Sequence, residues 1–128
     1  MIIAFWTLPL TLIFLWLSSR VIRYRRAERI PLGSGGNPAL ERAIRAHANF
    51  AEFVPSAVLL LILAEWGGTW PWVLHALGAL MVAVRLSHGM GMVQDPEDYR
   101  FRVFGMMGTF SVMGIAAVAA FLGAALRG

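Results

Sequence analysis

The chain has 128 residues, of which 59% are hydrophobic, and its mean hydropathy is +0.68. This composition fits a single domain and excludes an ordinary soluble protein, while the lack of cysteine excludes disulfide, iron–sulfur and zinc–thiolate sites. All eleven basic residues are arginine, and the net charge is +4. Because the arginines flank apolar segments, we expect phospholipid headgroups or a small anionic ligand as partners and no nucleic acid.

The first predicted element is an apolar segment over residues 2–22, close to the roughly 20 residues that a helix needs to cross a bilayer. It has neither a basic beginning nor a small-residue cleavage site, so we interpret it as a retained span rather than a signal peptide. Five arginines then follow within ten positions: Arg20, Arg23, Arg25, Arg26 and Arg29. This excess predicts a cytoplasmic loop, which puts both termini of a four-span chain on the non-cytoplasmic side.

The second predicted helix covers residues 38–66, with Asn37 as its N-cap. Polar side chains recur along one face of this helix at i, i+3, i+7 and i+10, and they are Arg42, Arg45, Asn49 and Glu52. Each charge at mid-bilayer costs roughly 2.5–3.5 kcal/mol, so such residues persist where they line a site or hold helices together. We therefore expect this face to lie in the cytoplasmic half of the membrane and to contribute to a site.

The third predicted helix covers residues 70–94 and carries Arg85 and His88 within an apolar run. Two interpretations of Arg85 remain open, an ion pair with Glu52 that holds the helices together and a part of a ligand site. For His88 two interpretations also remain open, a hydrogen-bonded residue of the bundle and a part of the ligand site.

The fourth predicted helix covers residues 97–126, with Asp95 as its N-cap. For Arg100 we favour membrane anchoring, and for Arg102, two residues deeper, a role in anion binding at the helix start. Small residues at every fourth position predict a ridge for close helix contact, formed by Ala116, Ala120 and Ala124.

Together these elements predict an all-α membrane protein, a bundle of four transmembrane helices. The polar residues converge on the cytoplasmic halves of the last three helices and offer guanidinium groups, one carboxylate, an amide and an imidazole. A ligand with at least two anionic groups, one cationic group and peptide-like polarity matches this set, and glutathione has that chemistry. No histidine–carboxylate spacing indicates a metal site.

The sequence resembles one known family at the start of the second span. The motif is Glu41-Arg42-x-x-Arg45-Ala46-His47-x-Asn49-x-x-Glu52-x-x-Pro55, supported by Arg85-x-x-His88 and by Arg102. It is similar to the membrane-associated proteins in eicosanoid and glutathione metabolism (MAPEG), which include microsomal glutathione transferases. The resemblance implies a homotrimer with glutathione between subunits. It further implies that Arg45, Asn49, Glu52 and His88 bind glutathione, with Arg42 and Arg85 as further candidates, and that Arg102 stabilises the thiolate as the catalytic residue.

The chain departs from the family pattern where several enzymes have tyrosines, because Met92 and Met106 stand at those positions. We therefore expect a general glutathione transferase or peroxidase that acts on lipophilic electrophiles or lipid hydroperoxides. The alternatives are a non-catalytic scaffold or lipid-binding protein of the same family and, more remotely, a proton-coupled exporter that uses Glu52. The all-arginine, Gly/Ala-rich composition suggests a bacterial inner-membrane protein.

Overall fold

The chain forms four long helices and no strand over the residues that the structure describes. A computed structural model describes residues 1–127, the side chain of residue 127 excepted. The helices are Ile3–Glu28 (α1), Pro38–Trp66 (α2), Pro71–Val93 (α3) and Tyr99–Arg127 (α4). All four are long and apolar enough to cross a membrane. The predicted fold class, an all-α membrane bundle, is confirmed.

The start of α2 follows the prediction. The Asn37 side chain accepts hydrogen bonds from the backbone N–H groups of Ala39 and Leu40, at 3.0 and 3.1 Å, and Pro38 occupies the first turn. An asparagine cap satisfies donors that a helix start otherwise leaves free, and proline has no N–H to satisfy there. The motif that begins at Glu41 therefore starts within the first turn of α2.

Helix α1 is longer than the predicted span. It continues to Glu28, so Arg25 and Arg26 lie in its last turn rather than in a loop. A helix of 26 residues is about 39 Å long, which exceeds the hydrocarbon thickness of a bilayer. The helix is therefore long enough to cross a bilayer with its arginine-bearing turns outside the apolar layer.

The start of α4 differs from the prediction. The helix begins at Tyr99, and the Asp98 carboxylate accepts a hydrogen bond from the Arg100 backbone N–H at 2.9 Å. Asp98 therefore caps the helix, and the expectation that Asp95 does so is wrong. Asp95 instead lies 3.4 Å from the Arg42 guanidinium, which draws the connecting segment toward α2.

Helices α2 and α3 form the centre of the bundle. Helix α1 packs against both of them, α4 packs against both, and α1 and α4 do not contact each other among the described residues. Helix α3 is the most enclosed helix. In an 18-residue apolar stretch of each helix, 56% of the residues of α3 are buried, against 17% in α1 and 22% in α4. The core is therefore built around α3, and its largest fully buried apolar side chains include Ile3, Leu17, Leu61, Leu74, Met81 and Val84.

Helix α4 packs into the bundle through two of the three residues of the predicted ridge, since Ala116 is buried and Ala120 is partly buried against the core. Its buried positions are Gly105, Thr109, Val112, Ala116 and Gly123, whereas Ala124 is exposed. Gly105 lies so close to α3 that a Cβ atom there would overlap His88 and the Val84 carbonyl oxygen. Glycine permits this approach, and it brings the start of α4 against the inner wall of the site described next.

Candidate functional site

An open groove of about 520 Å³ lies among α2, α3 and α4, at the end of the bundle where α2 and α4 begin. Five of the seven predicted site residues line this groove: Arg45, Asn49, Glu52, His88 and Arg102. The remaining lining residues are mainly apolar or aromatic, and they are Phe53, Tyr99, Val103, Met106 and Met107. The groove therefore combines charged groups with an apolar wall.

The α2 side of the groove carries two opposite charges. A guanidinium nitrogen of Arg45 lies 4.0 Å from a carboxylate oxygen of Glu52, and both side chains are more than half exposed. Exposed pairs of this length contribute only about 0–1 kcal/mol to stability. Both groups are thus free to exchange this contact for a ligand group at little cost.

The α4 side of the groove carries Arg102. Its guanidinium donates a hydrogen bond of 2.6 Å to the Glu97 carboxylate and lies over the Tyr99 ring, with its central carbon 5.6 Å from the ring centre. The Arg102 side chain is 35% exposed, so one part remains accessible from the groove. The Glu97 carboxylate thus balances the charge of Arg102 through direct contact.

Arg85 lies behind the groove and does not line it. It is 1% exposed, and it donates hydrogen bonds to the Asn49 carbonyl oxygen at 2.6 Å and to the Thr109 hydroxyl at 3.2 Å. The alternative that it pairs with Glu52 is wrong, because Glu52 faces outward from α2 while Arg85 faces the interior. Arg85 thus joins α3 to both α2 and α4.

His88 forms the inner wall of the groove. The residue is 3% exposed, and its Nδ1 atom has no hydrogen-bond partner among the described residues. Gly105 packs against its Cβ atom, which restricts where the ring can lie. Only a small part of this side chain is therefore accessible from the groove.

Two other polar residues of α2 are directed elsewhere. Arg42 forms its ion pair with Asp95 and does not line the groove. His47 stacks on Phe14 of α1, with 4.9 Å between the ring centres. The structure thus separates the predicted polar stripe into residues at the groove and a residue that ties α2 to the segment between α3 and α4.

Three residues at or near the groove are not among the site residues predicted from the sequence. Thr109 is completely buried on α4 and accepts a hydrogen bond from Arg85. Tyr99 and Phe53 contribute aromatic rings to the groove. A threonine among the small residues of a membrane helix and aromatic residues on such helices are common features, so only the three-dimensional arrangement singles these residues out.

Comparison with known proteins identifies a family and two similar proteins. The chain matches the MAPEG family over residues 3–122. It is also similar to the protein called inner membrane protein YecN in two strains of Escherichia coli, K12 and O6:H1 (CFT073). Each is 31% identical to this chain over 119 residues, which is 93% of this chain and 89% of the relative.

Proposed function

Because the chain belongs to the MAPEG family, we propose that it is a membrane enzyme that binds glutathione in the groove. Its glutathione thiolate would attack lipophilic electrophiles or lipid hydroperoxides, which makes the protein a transferase or peroxidase. One observation carries the proposal, the convergence of Arg45, Asn49, Glu52, His88 and Arg102 from three helices on one open groove.

The charges of the groove match those of the tripeptide. Arg45 can donate two parallel hydrogen bonds to a carboxylate, and the Asn49 amide can donate to a second one. Glu52 can accept from the ammonium group. Arg102, on the opposite side, supplies the positive charge that favours the thiolate over the thiol.

The apolar wall supports access for a lipophilic second substrate. Val103 and Met107 are 60% and 62% exposed on α4, and they continue the groove onto the lipid-facing surface. In conjugation the sulfur bonds to the electrophilic carbon, and the leaving group departs with its electron pair. In peroxide reduction the sulfur takes the terminal oxygen with its hydrogen as the O–O bond breaks, and the lipid alkoxide takes a proton from water and leaves as an alcohol. A second glutathione then converts the sulfenic acid into the disulfide and water.

The open side of the groove supports assembly of several copies. The Arg45 and Glu52 side chains are 58% and 52% exposed, and each charge facing lipid costs roughly 2.5–3.5 kcal/mol at mid-bilayer. A second copy of the chain over the groove would remove both from lipid. We propose a homotrimer in the bacterial inner membrane, in keeping with the name of the Escherichia coli relative, with both termini on the non-cytoplasmic side.

One observation favours a second candidate function. Met106 lines the groove and Met92 is buried, so neither of these positions offers a hydroxyl group to the sulfur or to a leaving group. A family member without such help could bind glutathione or lipid and catalyse nothing. Where the non-catalytic protein binds glutathione, the two candidates differ in turnover rather than in binding.

The test is calorimetric titration of glutathione into detergent-solubilised protein, with ultraviolet absorbance of the thiolate as a second readout. We expect saturable binding and thiolate absorbance, and at least a tenfold smaller thiolate fraction in Arg102→Ala, because a hydrogen bond from a charged donor is worth about 1.5–3 kcal/mol. Arg100→Ala, an exposed neighbour outside the groove, is the control.

The outcomes separate the two functions. Wild-type protein that does not bind glutathione would refute both roles of the groove in glutathione chemistry. Binding and thiolate formation without turnover of an aryl halide or a lipid hydroperoxide would favour the non-catalytic function.

A further inference from the structure

The arginine behind the groove is enclosed as completely as any charged side chain among the described residues. Arg85 is 1% exposed, and its guanidinium bridges Asn49 on α2 and Thr109 on α4. The ring of Phe50 lies beside it, 5.6 Å from its central carbon. No carboxylate oxygen of residues 1–126 lies within 4.0 Å of this guanidinium. The charged group is therefore stabilised by neutral hydrogen-bond acceptors and has no carboxylate partner within that distance.

The contact with Asn49 determines which way the amide group faces. A guanidinium only donates hydrogen bonds, so the atom of Asn49 that meets Arg85 at 2.6 Å must be the carbonyl oxygen. The NH₂ group then points away from Arg85. Since Asn49 also lines the groove, its two N–H donors are available to a ligand group held there.

The buried charge also affects what those donors prefer. Hydrogen bonds in series polarise one another, so an amide whose oxygen faces a guanidinium donates more strongly from its nitrogen. A positive charge in a medium of low polarity attracts an anion more strongly than it would in water. A negatively charged ligand group beside the Asn49 NH₂ is favoured on both grounds.

We propose that Arg85 is a positioning residue, which turns the Asn49 NH₂ group into the groove and makes that point of the groove select a carboxylate. The ligand identity in this inference rests on the proposed function. The orientation of Asn49 does not, so the two are tested by different measurements.

The first measurement needs no ligand. The chain has two asparagines, Asn37 and Asn49, so selective ¹⁵N-asparagine labelling yields two side-chain NH₂ signals. Arg85→Met should shift the Asn49 pair and leave the Asn37 pair, which reports the α2 cap, in place. An Asn49 pair that stays unchanged in Arg85→Met would overturn the proposal, whether or not the protein binds glutathione.

The second measurement is a double-mutant cycle on the affinity for glutathione. We expect Asn49→Ala and Arg85→Met each to weaken binding about tenfold, and the double variant to be no more than twofold weaker than the weaker single variant, since both remove the same donor. Effects that multiply in the double variant would refute positioning. For esterified glutathione, the affinities of the wild type and of Arg85→Met should differ less than threefold. An equal loss of affinity for the ester and for the free acid in Arg85→Met would refute carboxylate selection.

Two controls separate positioning from loosened packing. Ser87→Ala removes a partly buried hydrogen bond from α3 to the Phe101 carbonyl oxygen of α4 without touching Asn49, and it should change the affinity for glutathione less than twofold. A tenfold loss in Ser87→Ala would attribute the effect to packing and overturn the proposal. If the Asn37 signal shows that Arg85→Met does not fold, Arg85→Lys replaces it. Arg85→Lys alone should weaken glutathione binding about threefold. Added to Asn49→Ala, it should cause no further loss of affinity, and a further loss in that double variant would overturn the proposal.

Discussion

Removing the carboxylate of Glu97 should strengthen glutathione binding. This carboxylate lies 2.6 Å from the Arg102 guanidinium and is 18% exposed, so it occupies the donor that we assign to the thiolate. A ligand anion at Arg102 must displace it or share the guanidinium with it. Glu97→Gln keeps the shape of the side chain and removes its charge.

The size of the effect follows from the burial of the pair. A hydrogen bond between charged groups contributes about 1.5–3 kcal/mol, and a fully exposed ion pair about 0.2–1 kcal/mol. Arg102 is about one-third exposed, so we take about 1 kcal/mol, which corresponds to roughly a fivefold change in affinity. Glutathione titration of Glu97→Gln should therefore give a Kd about fivefold lower, with a larger thiolate fraction.

A matched control tests whether the effect is local. Glu41→Gln removes the same charge near the start of α2, where Glu41 accepts a hydrogen bond from Ser34 and does not contact Arg102. It should leave the Kd within twofold of the wild type. Equal gains in both variants would indicate a general charge effect. Weaker binding in Glu97→Gln would mean that Glu97 holds Arg102 in place rather than competing for it, and the reasoning would be refuted.

Two further predictions follow from the packing of α4 and from the charge of α2. Gly105→Ala should destabilise the bundle by about 1–3 kcal/mol in denaturant unfolding, because its Cβ would overlap His88 and the Val84 carbonyl oxygen. Gly114→Ala, with nothing within 4 Å of the added atom, should not destabilise it, since alanine favours a helix over glycine by about 1 kcal/mol. A Gly105→Ala variant as stable as Gly114→Ala would refute the close contact. Glu52→Gln should weaken the binding of glutathione at least fivefold and the binding of N-acetylated glutathione less than twofold, since only glutathione itself has an ammonium group. Equal losses of affinity for the two ligands in titration would remove the role given to Glu52.

The four spans and the position of the site on them could be predicted from the sequence because both depend on local patterns. Runs of apolar side chains long enough to cross a bilayer identify the helices. The Asn37–Pro38 pair identifies the start of α2, and the spacing of Arg45, Asn49 and Glu52 puts them on one face of it. These statements concern single helices, and none of them requires knowledge of a neighbouring helix.

The partners of the polar side chains could not be predicted in the same way. Arg42 and Arg45 lie on the same face of α2, yet one pairs with Asp95 and the other lines the groove. Arg85 meets Asn49 rather than Glu52, although a carboxylate is the stronger partner for a guanidinium. The identity of the residues thus does not decide the pairing.

Two properties of this protein therefore have different origins. The sequence alone determined that four apolar helices form and that several charged residues cluster toward one end of them, because hydropathy and helical periodicity act along one segment. Only the tertiary structure decided which of those residues face the groove. That outcome depends on how far each helix is rotated about its axis and how closely α4 approaches α3 at Gly105, and spacing along one chain segment carries no information about either.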